Sequence, residues 1–104
     1  MTTQTEQELE MVENQQWISR WEALQRLEAN PDFINVISEG YIRDRALNGV
    51  SMLANEGVKR QGQRPDVMEM LVAVSTLQDY FRMIKNLGAI AKDDMDEETG
   101  PLAE

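Results

Sequence analysis

The chain predicts an all-α fold: a small antiparallel bundle of about three helices, followed by a disordered acidic C-terminal tail. Three observations carry that expectation. Between residues 65 and 91, Val67, Met70, Val74, Leu77, Phe81, Ile84, Gly88 and Ala91 recur at alternating spacings of three and four. That is the seam of a helix that lies against another helix. Asn30-Pro31-Asp32 and Pro65-Asp66 place proline at the first helical position with an acid just behind it, which marks helix starts. Strand signals are nearly absent, because the one short apolar run, residues 70–74, sits inside the longer helical period.

The first helix is expected over residues 5–28. Thr5 with Glu8 reads as a capping box, and Thr3 with Glu6 offers an alternative start. Glu6, Glu8 and Glu10 suit the positive end of the helix dipole. The apolar positions are Leu9, Val12, Trp17, Ile18, Trp21, Leu24 and Leu27. The first two turns are nearly polar, so this end is expected to fray or to dock on a partner.

Pro31 disfavours helical geometry at Asn30 and so ends the first helix. The second helix is expected over residues 31–54, with Phe33, Ile34, Val36 and Ile37 as its first apolar face. After Gly40 the stripe becomes Leu47, Val50, Leu53 and Ala54. The two stripes do not share one phase through Arg43-Asp44-Arg45. A kink near residue 40, or a break into two short helices, would reconcile them. The alternative is a continuous helix, with Gly40 and Gly49 kept small for close helix approach.

Residues 55–64, with Gly57 and Gly62, are expected to form a loop carrying Lys59, Arg60 and Arg64. The third helix is expected over 65–91 and would be roughly 40 Å long at about 1.5 Å per residue. Met68, Leu71, Met83, Leu87 and Ile90 widen its apolar stripe, which implies packing against more than one helix. The expected organisation is one helical domain, residues 1–91, and a tail, residues 92–104. The tail lacks periodicity and contains Gly100-Pro101, a composition that favours disorder.

Composition narrows the chemistry. The 104 residues suit one domain. With no cysteine and no histidine, disulfides, thiolate chemistry, typical zinc sites and histidine acid–base catalysis are removed. No apolar run approaches the roughly 20 residues of a membrane span, and the polar N-terminus is not a signal peptide; an intracellular, untargeted protein is expected. Seven methionines suit a core or contact surface that must fill irregular gaps. The formal net charge is −9. Residues 92–104 hold six acids and one base, hence −5 of it, and the other −4 belongs to residues 1–91. This sign disfavours non-specific binding to nucleic acid or anionic membranes.

Chemical motifs are lacking. Counting Asp94 as the first position of a calcium loop puts Asp96 third and Glu98 fifth, but Thr99 stands where glycine is required and the twelfth position lies past the last residue. The segment from Gly57 to Gly62 lacks the Gly-Lys-Ser/Thr ending and the preceding strand of a phosphate loop. Ser19, Ser38, Ser51 and Ser75 have no histidine base. The expectation is therefore a protein that is not an enzyme and carries no cofactor or metal. Its candidate interface residues are Trp17 and Trp21, one helical turn apart; Lys59, Arg60 and Arg64; and Asp93, Asp94 and Asp96. The two tryptophans, with Leu24, serve either as core on the third helix or, if exposed, as interface anchors.

Three segments are similar to a known group: Trp21 through Phe33 (with Leu24, Arg26, Leu27 and Asn30-Pro31-Asp32-Phe33), Glu39-Gly40-Tyr41, and Leu77 with Tyr80-Phe81. Followed by an acidic tail, this pattern resembles small helical proteins of tailed bacteriophages over most of residues 20–90. Arg43-Asp44-Arg45 and Asn48-Gly49 depart from it by being more polar. The resemblance implies no enzymatic activity and a part in virion structure or assembly. The partner would be a phage structural protein or a second copy of the chain, in the host cytoplasm or the virion. The acidic charge supports a rival expectation, a regulatory module that binds a basic host protein.

Overall fold

A computed structural model describes residues 4–99, which are helical almost throughout, with no strand among them. The elements are α1 (Gln4–Ala29), α2 (Pro31–Phe33), a π-helical segment (Ile34–Asp44), α3 (Arg45–Leu53), α4 (Glu56–Arg60) and α5 (Arg64–Thr99). The junction residues Ile34 and Arg45 keep right-handed helical dihedrals. α2, the π-helical segment and α3 therefore form one uninterrupted run. The described residues make four helical runs, not about three.

Asn30 separates the first two runs for a local reason. Its backbone is extended (φ −77°, ψ 124°), and its Oδ1 accepts hydrogen bonds from the Asp32 N–H at 2.8 Å and the Phe33 N–H at 3.2 Å. Two of the orphan donors of the helix start are thereby satisfied, and Pro31 has no donor to lose. Asn30→Ala is expected to lower stability by about 1 kcal/mol, read as a shift in the urea midpoint at unchanged slope.

The second run does not break at Gly40; it is π-helical from Ile34 to Asp44 and so widens there. Its more covered positions are Phe33, Ile34, Ile37, Ser38, Glu39, Tyr41, Ile42, Ala46, Gly49 and Leu53, while Arg43, Asp44 and Arg45 are exposed. An α-helix continued from Phe33 and Ile34 at about 3.6 residues per turn would instead turn Asp44, Asn48 and Ser51 inward. Turns closed by i→i+5 bonds hold more residues than turns closed by i→i+4 bonds. The wide segment thus absorbs the polar Arg43-Asp44-Arg45 stretch and delivers Ala46, Gly49 and Leu53 to the interior. This corrects the expected stripe: Leu53 is half-covered, but Leu47, Val50 and Ala54 face outward.

Two further boundaries differ from expectation. The loop expected over 55–64 contains α4, capped by Asn55, whose Oδ1 accepts from the Val58 N–H at 3.1 Å. Gly62, at φ 68°, closes the turn into α5 in the left-handed region that favours glycine. α5 does not end at Ala91. It continues through Thr99, so residues 92–99, expected to be disordered, are helical. The seam explains the extension: Met95 lies four residues beyond Ala91 and is half-buried. The last five residues of the expected tail, Gly100-Pro101 among them, lie outside the described residues.

The chain divides into two compact units. One joins α1 up to Arg26 with α5 from Phe81 onward. Its interior holds Leu24, Ile84, Gly88 and Ala91, with Trp17, Ile18, Trp21, Phe81, Leu87 and Met95 half-buried. A Cβ at Gly88 would lie 2.5 Å from the Trp21 Cβ and 2.8 Å from its Cγ. α5 and α1 approach so closely there that only glycine fits. The other unit spans residues 27–80. Val67, Val74 and Gly49 are buried in it, and a Cβ on Gly49 would meet the Leu71 Cδ2 and Met70 Cε, both at 2.7 Å. The seam read from sequence is therefore the inward face of α5 through both units: none of Val67, Met70, Val74, Leu77, Phe81, Ile84, Gly88 and Ala91 is exposed.

Candidate interaction site

The expected interface residues fall into three groups. Trp17 and Trp21 are both half-buried on α1. Trp21 is committed to the contact with Gly88, so it belongs to the interior of its unit. Over the Trp17 ring the Arg20 guanidinium stands 5.1 Å from the centroid, within reach of a cation–π attraction. The face they share with Leu24 was legible from spacing alone; the role of Gly88 as the seat for Trp21 was not.

Lys59 and Arg60 occupy the last turn of α4, where cations suit the negative end of the helix. Arg64 opens α5, and its Nε donates to the Leu53 carbonyl oxygen at 3.0 Å, tying the start of α5 to the end of α3. All three side chains are exposed. Nearby in sequence, the exposed Arg43 donates from Nε to Asp44 Oδ1 at 2.9 Å. That hydrogen bond, and then the charge of Asp44, hold the guanidinium above its ordinary pKa.

Asp93, Asp94 and Asp96 are exposed on the final turns of α5. Ile18, Trp21 and Met95 form the apolar part of a half-open cleft of about 340 Å³, and Glu22, Lys92 and Asp96 supply its charge. Among the described residues no group of three or more acids, histidines or cysteines is placed to hold a metal ion. No helix among them is long and apolar enough to cross a membrane.

The exposed apolar residues were anticipated only in part. Leu9 and Val12, 65% and 51% exposed, lie near the start of α1, which was expected to fray or dock on a partner, whereas Leu47 and Val50 on α3, 61% and 60% exposed, were expected on the inward stripe. Val36, Met68, Val72 and Ile90 are also at least half exposed. Which face of α3 is left outside follows from the π-helical segment before it, which no motif announced. The chain matches no protein-family model, and neither the curated proteins nor the solved structures contain a match to it.

Proposed function

We propose that this chain is a non-catalytic protein that acts through helix-mediated association, as a structural or assembly component of a bacteriophage particle. The observation that carries the association reading is the pairing of Leu9 with Val12 and of Leu47 with Val50, each pair one helical turn apart and more than half exposed. Leucine and valine gain about 1.5–3 kcal/mol each on full burial, and the fold leaves that gain to another chain. The phage assignment rests on the resemblance over residues 20–90 and on nothing else. In this reading α1 and α5 are the antiparallel pair of a small bundle, and the protein works in the host cytoplasm or in the virion.

One observation favours the second reading, a regulatory acidic module that binds a basic host protein. Asp93, Asp94 and Asp96 stand on a helix rather than in a disordered tail, and fixed spacing is what a surface needs to imitate a row of phosphates.

Light scattering over a series of protein and salt concentrations separates the two. Association predicts a mass above the 11.9 kDa of one chain that rises with protein concentration. A mass fixed at one chain throughout, together with salt-sensitive capture of a basic protein, would replace the first reading by the second.

A further inference from the structure

Of the six asparagines in the chain, one is followed by glycine: Asn48-Gly49, inside α3. That neighbour matters chemically. The side-chain amide of an asparagine is open to attack by the backbone nitrogen of the next residue, and a side chain on that residue hinders the approach. Gly49 has none. The other asparagines are followed by Gln15, Pro31, Val36, Glu56 and Leu87, all of them bulkier, and Pro31 has no N–H to give up. Asn48 is exposed and Gly49 is buried, so water reaches the amide while the nucleophile is held inside. The helix holds it in two ways. Between Arg45 and Leu53 the α-helical pattern directs the Gly49 N–H to the Arg45 carbonyl oxygen. A helical ψ of about −42° also keeps the Gly49 nitrogen from the Asn48 Cγ, because ring closure needs that dihedral rotated out of the helical range.

We propose that Asn48 is a latent modification site, closed in the folded chain and opened when α3 unwinds. On opening, the Gly49 nitrogen bonds to the Asn48 Cγ and the Cγ–Nδ2 bond breaks. The proton of that nitrogen leaves with the amide as ammonia, and the product is a cyclic succinimide. Water then opens the ring at either carbonyl. Attack at Cγ restores the ordinary chain with aspartate at position 48. Attack at the main-chain carbonyl carbon leaves the chain running through Cβ and Cγ, as isoaspartate. Nothing is oxidised or reduced. The two products have different consequences for α3. Aspartate on the exposed face adds one negative charge and nothing else. Isoaspartate adds a carbon to the main chain, so the i→i+4 spacing fails across position 48, and Gly49 and Leu53 lose their inward register. The exchange is one-way, and its extent therefore records the time that the unit of residues 27–80 has spent open. This inference is independent of the association reading.

The test is peptide mass mapping of the full chain held at mildly alkaline pH, with and without unfolding guanidinium chloride. The readout is the exchange of an amide NH2 for OH. In denaturant, Asn48 is expected to be converted before any other asparagine. In buffer its conversion is expected to be at least about tenfold slower, because the open form is the minor one. A peptide of residues 45–53, too short to hold a helix by itself, calibrates the denaturant's own effect on the rate. Gly49→Ala is expected to lose most of the conversion in denaturant. Equal calibrated rates in buffer and in denaturant would overturn the latency. Earlier conversion at another asparagine, or undiminished conversion in Gly49→Ala, would overturn the site. Asn48→Asp carries the charge without the longer main chain and is expected to melt with the unaltered chain. The isoaspartate fraction, separated by chromatography and returned to buffer, is expected to melt at a lower temperature. An isoaspartate fraction that melts with the unaltered chain would overturn the loss of register.

Discussion

Gly88→Ala is expected to destabilise the protein by about 1–2 kcal/mol, although the same exchange in an isolated helix would stabilise it by about 1 kcal/mol. The sign is decided by what the new methyl meets. At Gly88 it would fall 2.5 Å from the Trp21 Cβ, an atom fixed to the α1 backbone. No rotamer change can relieve that overlap, so the two helices must separate, and overpacking of this kind costs about 1–3 kcal/mol. Gly49→Ala is the control. Its methyl would meet the Leu71 Cδ2 and the Met70 Cε, the far ends of flexible side chains that can swing aside. There the helix-propensity gain roughly offsets the crowding, and the net change is expected to stay within about 0.5 kcal/mol of zero. Urea unfolding of the two variants side by side reads the difference. A Gly88→Ala variant as stable as the unaltered chain would mean that the α1–α5 approach is looser than described.

Deletion of Asn86 is expected to abolish cooperative folding of the unit that joins α1 with the second half of α5, whereas deletion of Gly40 is expected to cost only about 1–2 kcal/mol. Asn86 is an exposed residue of α5 inside that unit. Its removal rotates every later residue by about 100° relative to Phe81 and Ile84. Gly88 and Ala91 then leave the inward face, and Ala89 arrives where Trp21 requires glycine. The loss exceeds what a domain with a total stability of about 5–15 kcal/mol can absorb. Gly40 lies in the π-helical segment, which already holds residues beyond those of an α-helix. One wide turn can revert to an ordinary turn, with Ala46, Gly49 and Leu53 still facing inward. Circular dichroism and thermal melting of the two deletions test this. Two equally damaged proteins would mean that the wide turns carry no spare residue.

The inward face of α5 was legible because eight positions obey one period without exception, and the start at Asn30-Pro31-Asp32 was legible because capping chemistry is local. Gly49 was anticipated as a close approach and is one; Gly40, its expected companion, is exposed. The register of α3 was not legible. The stripe through Leu47, Val50 and Ala54 is more apolar than the stripe through Ala46, Gly49 and Leu53, and composition favours the first. The structure takes the second because Gly49 admits Leu71 and Met70, a tertiary reason that no window on the sequence contains. α4 was hidden by its brevity, although Asn55 was there to cap it. The end of α5 was hidden by its acids, which are unfavourable at a helix C-terminus and outweighed the single apolar Met95 in any local reading. The exposed pairs at Leu9–Val12 and Leu47–Val50 inherit these difficulties, since an outward face is known only once the inward one is fixed.

The central claim is that the fold leaves apolar side chains for another chain to cover, and single-cysteine labelling measures it directly. The chain has no cysteine of its own, so Leu47→Cys and Val74→Cys each introduce one reporter. Leu47 is 61% exposed and Val74 only 2%. In dilute solution the thiol at 47 is expected to react rapidly and the thiol at 74 slowly. In concentrated solution the rate at 47 is expected to fall about tenfold or more as association covers it, with no change at 74. A thiol at 47 that is protected even when dilute, or one that reacts equally fast at every concentration, would contradict the claim.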